Sequence, residues 1–169
     1  MEKFLITFHL SNGETRTTSI DAKSFVDAKM KIEKQFIEQK NTPLILFSDV
    51  YHSNRMFEIQ KNHIIFIDYQ IYEIDYWLLK MGDKYYIGDM IGISNGVTSI
   101  HNREAYIRQG YLFIKDQAIA FPFECSETAT LKAKSIGPEV EISSKINITY
   151  SGFRAIKRKN DNFKREIGI

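Results

Sequence analysis

The chain has 169 residues, of which 43% are apolar, 26% charged and 13% aromatic, a balance that excludes disordered, collagen-like and disulfide-scaffold proteins. Lys and Arg number 23 against 21 Asp and Glu, and a net charge of +2 disfavours both a strongly basic nucleic-acid binder and an acidic nucleic-acid mimic at the scale of the whole chain. A single cysteine, Cys125, forbids an intrachain disulfide, and four scattered histidines leave no zinc-type ligand set, so neither metal nor cofactor is expected.

Phe4, Ile6, Phe8 and Leu10 share one parity, the period of a half-buried strand. Asn12-Gly13 supplies a turn, and Thr15 to Ile20 is β-prone, so the chain is expected to open with an antiparallel hairpin. A helix is predicted from Ser24 to Gln39. Ser24 with Asp27 three residues on resembles a capping box, and Phe25, Ala28, Ile32 and Phe36 fall on one face. Asn41-Thr42-Pro43 should stop it. Leu44 to Phe47, Met56 to Ile59 and His63 to Ile74 read as strands, with a polar turn over Ser48 to Asn54 and a link at Lys61-Asn62. Residues 1–74 thus suggest a ββαββ-like module with one helix across a sheet.

Turns become denser beyond Gly82. Tyr76 to Lys80 and Lys84 to Ile87 should form a hairpin about Gly82-Asp83. Ser94-Asn95-Gly96 marks another turn, and Ile91 to Arg108 has no clear period. Tyr111 to Ile114 and Ala118 to Phe123 read as a third hairpin tipped by Lys115-Asp116. Ser126 is the expected cap of a short helix, Glu127 to Ile136, with Ala129, Ala133 and Ile136 inward and Gly137-Pro138 ending it. Val140 to Ile142 and Ile146 to Tyr150 close the series. The expected fold class is α+β, with antiparallel sheets and one helix packed on each half. The expected modules are residues 1–74, a hairpin-rich module over 75–153, and a basic tail over 154–169.

That tail carries Arg154, Lys157, Arg158, Lys159, Lys164 and Arg165 against Asp161 and Glu166, a net of +4, which leaves the remainder at −2. Such a cluster suits phosphates. Tyrosine brings contact area at low entropic cost, and Tyr69 and Tyr72 belong to a Tyr-rich middle region that suits a recognition face. These eight residues are the candidate partner-binding set.

Motifs for catalysis are sparse. No P-loop, dinucleotide fingerprint, zincin helix or nucleophile elbow is present. Asp49, Glu58 and Lys61 have nuclease-like chemistry, but Glu and Lys three apart on a regular strand face opposite ways. Tyr76 with Tyr86-Ile87-Gly88, followed by Arg103 and Glu104, resembles the GIY-YIG endonuclease pattern, which implies a catalytic set of Tyr76, Tyr86 and Arg103. The sequence departs from that pattern: Ile74-Asp75 stand in place of Gly-Ile, and no helix is predicted to carry the Arg.

Isoleucine occurs 25 times against 8 leucines, a skew that suits an AT-rich coding source. The opening strand with Ser11-Asn12-Gly13-Glu14, the helix Ser24 to Phe36, and the Gly82-to-Gly88 and Ala118-to-Gly137 segments together resemble small accessory proteins of phages and mobile elements of AT-rich Gram-positive bacteria. That resemblance implies a non-enzymatic inhibitor of a host defence nucleoprotein, such as a CRISPR effector, in the manner of anti-CRISPR proteins, acting by steric or electrostatic occlusion. A nucleic-acid-binding accessory protein is the alternative, beside the nuclease. The longest apolar stretch, Ile64 to Leu79, is broken by Asp68, Glu73 and Asp75, and no signal peptide is read at the start, so a cytoplasmic setting in the bacterial host is expected, without membrane partners. An unpaired sheet edge would support a homodimer.

Overall fold

The computed structural model describes residues 1–39, 43–52, 54–90, 92 and 95–169. The expected helix stop at Asn41-Thr42 lies outside the described residues, as do Ser53, Ile91 and Ser94 in the turn-like stretches. The fold is α+β with antiparallel sheets. The chain divides into two units, one of residues 1–72 with 149–151, the other of 73–148 with 152–169.

In the first unit, β1 (Glu2–Leu10) pairs antiparallel with β2 (Thr15–Ala22) and with β5 (Ile64–Ile71), in the order β2-β1-β5. The alternation along β1 has its expected effect. Phe4, Ile6 and Phe8 are fully buried, while Thr7 and His9 face outward. Helix α1 (Phe25–Glu38) covers the apolar face. Ser24 caps it as predicted, its hydroxyl accepting the Asp27 N–H at 3.2 Å. Ala28 and Ile32 are buried, but Phe25 sits at the rim, edge-on to Phe4. The helix has no basic residue in its last turn. Instead Lys61 Nζ donates to the carbonyls of Phe36 and Gln39, at 2.9 and 2.6 Å, supplying the cation that a helix C-terminus favours. β3 (Leu44–Ser48) and β4 (Met56–Gln60) pair only with each other, as a hairpin that adds Ile45, Phe47 and Ile59 to the same core. The ββαββ order is therefore a three-stranded sheet, a helix and a separate hairpin.

The second unit is built on a six-stranded antiparallel sheet in the order β12-β7-β8-β11-β10-β9. Its strands are β7 (Leu79–Met81), β8 (Lys84–Asp89), β9 (Gly96–Ile100), β10 (Arg103–Arg108), β11 (Tyr111–Ile114) and β12 (Glu141–Ile142). A short pair, β6 (Glu73–Tyr76) with β13 (Ile146–Thr149), completes the strands. The hairpin about Gly82-Asp83 forms as expected, and the unassigned stretch before Arg108 is the β9–β10 hairpin. The β9–β10 and β10–β11 turns are two residues long, and both positions of each have positive φ: His101 (48°) with Asn102 (59°), and Gln109 (50°) with Gly110 (81°).

The expected strand Ala118–Phe123 does not pair with β11. Gln117–Ile119 is a single 3-10 turn, and the segment after it bonds elsewhere, Phe121 N–H to the Tyr86 carbonyl and Phe123 to Trp77 in both directions. Pro122, which has no N–H to give, sits in the middle of it and cannot carry a ladder.

Two helices cover opposite faces of the six-stranded sheet. α2 (Ser126–Ile136) lays Ala129, Ala133 and Ile136 on Leu79, Tyr86 and Phe113. Its cap is Cys125 rather than Ser126. Cys125 is extended, and its carbonyl takes the Ala129 N–H at 3.1 Å, while Ser126 is already helical. On the other face, Phe163 packs with Ile87, Ala105, Leu112 and Ile114. Phe163 belongs to α3 (Tyr150–Glu166), so residues 154–166 of the expected tail form a helix that is part of the second unit's core. Phe153, Ile156, Asn160, Phe163 and Ile167 recur at intervals of three and four, and the cations between them, Lys164 excepted, point away.

Candidate nucleic-acid interface

The outer side of α3 gathers charge because its inner side is committed to packing. Arg154, Lys157, Arg158, Lys159 and Arg165 are all exposed. Arg154, Lys157, Arg158 and Arg165 line a groove along the helix together with Asp161 and Asn162. Lys157 makes a surface pair with Glu124 at 3.3 Å. Among the described residues, no carboxylate lies within ion-pair distance of Arg158, Lys159 or Arg165. The sixth cation, Lys164, departs from this set. It turns inward, half-buried, along Gly88 and over the ring of Phe121.

Lys164 enters a cleft of about 670 Å³ in the second unit, at the end of β8. Tyr86, Phe121, Phe123 and the exposed Leu131 supply apolar surface, and Lys132 of α2 reaches in from the other side. A β-bulge builds the polar end. Tyr111 pairs with Asp89 and Leu112 with Gly88, but Phe113 pairs with Tyr86, so Ile87 has no partner across the ladder. The extra residue changes the parity of the strand. Tyr86 and Asp89, three apart, therefore lie on the same side, and the phenol donates to Asp89 Oδ1 at 2.5 Å. Lys132 Nζ donates to Asp89 Oδ2 at 2.7 Å and lies over the rings of Tyr86 and Tyr111.

Electrostatics keeps the Tyr86 phenol neutral and the Asp89 carboxyl ionised at neutral pH. Burial first, then the Asp89 carboxylate, pushes the Tyr86 phenol far above its ordinary range. Burial pushes Asp89 up, but hydrogen bonds from Lys132 and Tyr86 and the ammonium charges of Lys132 and Lys164 outweigh it, so the carboxyl lies below its usual value. The cleft therefore joins a phenol and a carboxylate to the side chains of Lys132 and Lys164, and Lys164 has no acceptor at hydrogen-bond distance among the described residues.

The bulge also explains Asn160. Bulging takes the Ile87 carbonyl out of the ladder, and Asn160 Nδ2 donates to it at 3.1 Å and to the Ile119 carbonyl at 2.8 Å. Sequence reasoning missed Asn160, Asp89, Lys132 and Phe121. The three-four spacing of Phe153 to Ile167 was a usable signal for α3, but the bulge that aligns Tyr86 with Asp89 leaves no mark in periodicity.

The remaining candidates fall in other environments. Tyr69 is half-buried beside Ile6 on the inner face of the first unit's sheet, and burial raises its phenol. Tyr72 stacks on Tyr150 at 5.6 Å, and Lys3 lies over the latter ring. Both tyrosines are engaged in the packing of the first unit. The residues of the GIY-YIG-like pattern occupy three separate settings. Tyr76 is buried with Leu78, Ala120 and Phe153, and burial raises its phenol. Tyr86 is bonded to Asp89, while Arg103 pairs with Asp116 at 3.5 Å and lies over Phe163. Asp49 is occupied by the Tyr51 N–H and by His52, and Lys61 is bonded to the end of α1. Among the described residues, no group of three or more His, Cys, Asp or Glu is placed to hold a metal ion, and no helix is long and apolar enough to cross a membrane.

No family model matches the chain, and no curated protein and no solved structure matches it.

Proposed function

We propose that this protein acts by binding rather than by turnover, and that the outer side of α3 docks onto the phosphates of a nucleic acid, free or within a host nucleoprotein. The observation that supports this reading most directly is the split of α3. Its apolar side anchors the helix in a core, while Arg154, Lys157, Arg158, Lys159 and Arg165 stand outward along it. A rigid helix presents these cations pre-ordered, which lowers the entropy cost of binding relative to a disordered basic tail. An accessory or inhibitor protein of a phage or mobile element, working in the cytoplasm of its host, fits this surface. It would occlude a nucleic-acid channel by lying against the phosphates.

Binding of a fluorescent duplex and a single strand, measured across salt concentrations, tests the reading. Affinity should fall steeply with salt. The Arg154→Gln/Arg158→Gln/Arg165→Gln variant should flatten the slope of log K against log salt by roughly 0.9 for each duplex phosphate that the helix ceases to neutralise. A salt-independent affinity, or metal-dependent cutting that Tyr86→Phe abolishes, would overturn it.

A further inference from the structure

The cleft beside Lys164 has a chemistry that the outer helix side lacks. One end is aromatic, with Phe121 at its surface and Phe123 and Tyr86 behind it, at centroid distances of 4.7 and 6.1 Å. The other end carries the Asp89 carboxylate, held by Tyr86 and Lys132, and Lys164, whose ammonium lies over the Phe121 ring and within the electrostatic reach of Asp89. Gly88 makes room for this arrangement: a Cβ there would lie 3.3 Å from Lys164 Cε.

The geometry points to a binding site for one nucleotide unit, with its phosphate on Lys164, its base against Phe121 and an amino group of the base donating to Asp89. Each group in the cleft needs a different part of that ligand. A half-buried ammonium with no acceptor at hydrogen-bond or ion-pair distance among the described residues has its donors open to an anion. The accessible part of the half-buried Phe121 ring favours a flat ring, since bases stack on aromatic side chains. A carboxylate that stays ionised accepts N–H donors and repels a second phosphate, which disfavours di- and triphosphates. The volume of about 670 Å³ is in the range of small-molecule sites. The unit can be a free nucleoside monophosphate or one nucleotide of a single strand. This inference rests on the nucleic-acid reading above for the choice of ligand, but it concerns different side chains.

Titration of the 15N-labelled full chain with AMP, CMP, UMP, ribose 5-phosphate and a short single-stranded oligonucleotide tests it. AMP and CMP are expected to shift the amides of Gly88, Phe121 and Ser135. UMP, which has no amino group, and ribose 5-phosphate, which has no base, should each bind about tenfold more weakly. Lys164→Met keeps the aliphatic stem on Gly88 and Phe121 and should weaken AMP by about tenfold with an otherwise unchanged spectrum. Phe121→Leu provides a second variant if Lys164→Met disturbs the fold. Tighter binding of the oligonucleotide than of AMP at these amides assigns the unit to a strand, and the reverse assigns it to a free nucleotide. No shift at these amides up to about 5 mM ligand, or equal shifts from ribose 5-phosphate, overturns the site. The two proposals fail separately. The triple Arg variant should keep the AMP shifts while losing oligonucleotide affinity; if it loses neither, the docking surface falls and the cleft stands.

Discussion

Asn160 and Thr18 are the two buried polar residues among those described, and Asn160 is held there by two carbonyls that the sheet cannot satisfy. Asn160→Leu fills similar volume but strands both acceptors. It should cost about 2–3 kcal/mol, seen as a drop of roughly 8–24 °C in the thermal midpoint of the second unit. An unchanged midpoint would mean that the bulge relaxes or admits water. Tyr86→Phe removes one donor from Asp89 while Lys132 remains, so a smaller loss of about 1 kcal/mol is expected in chemical denaturation. Asp83 gives the clearest pH signature. Hydrogen bonds from Lys115 and Lys84, at 2.8 and 3.1 Å, bring its carboxyl down to about 2. A carboxyl whose folded pKa is depressed binds fewer protons folded than unfolded, so its contribution is present above the unfolded value and fades as pH falls through the folded one. Denaturation midpoints measured from pH 5 to pH 2 should decline less steeply in Asp83→Asn than in the parent chain. Parallel curves would show the ammonium groups to be too well hydrated to matter.

At the scale of elements, α1 has no basic residue in its last turn, whereas α3 carries Lys164 and Arg165 in its own. Ser24→Ala removes the hydroxyl that holds the Asp27 N–H, and a loss of about 1 kcal/mol is expected, checked by denaturant titration. Phe163→Ala opens a cavity in the core beneath α3 and should cost about 3–5 kcal/mol, enough to expose the helix to proteolysis. The hairpin β1–β2 and helix α1 were legible in the sequence because a strict parity and a 3.6-residue period each point to one buried face. α3 was hidden although its apolar residues keep a helical spacing. Six cations among sixteen residues make a basic tail the simpler reading, and a helix stripe that includes Asn160 does not look apolar. The strand expected at Ala118–Phe123 failed on Pro122. The cleft was the least legible part, because Tyr86, Asp89, Lys132 and Lys164 come from three elements and meet only through a bulge whose extra residue is decided by packing.

For the whole molecule, the two units each have a core of their own, Phe4 to Ile59 in one and the clusters on both faces of the six-stranded sheet in the other. Phe8→Ala should therefore raise amide exchange in β1, β2 and β5 first, at a cost of about 3–5 kcal/mol. Exchange rising equally in β8 and β11 would show the cores to unfold together. The participation of α3 in a core also bears on how the basic surface is probed. Truncation before residue 153 would remove Phe153 and Phe163 with the cations, so point variants are the informative route. A further consequence attaches to the two-residue turns at His101-Asn102 and Gln109-Gly110. A Cβ at Gly110 would meet the Met90 carbonyl oxygen at 2.9 Å, so the second turn has neither room for a larger residue nor length to spare. Adding one residue there would turn β11 over and trade Leu112 and Ile114 for Phe113. Orthologues of this chain are then expected to hold the spacing from Ile100 to Tyr111 invariant, whatever their length elsewhere.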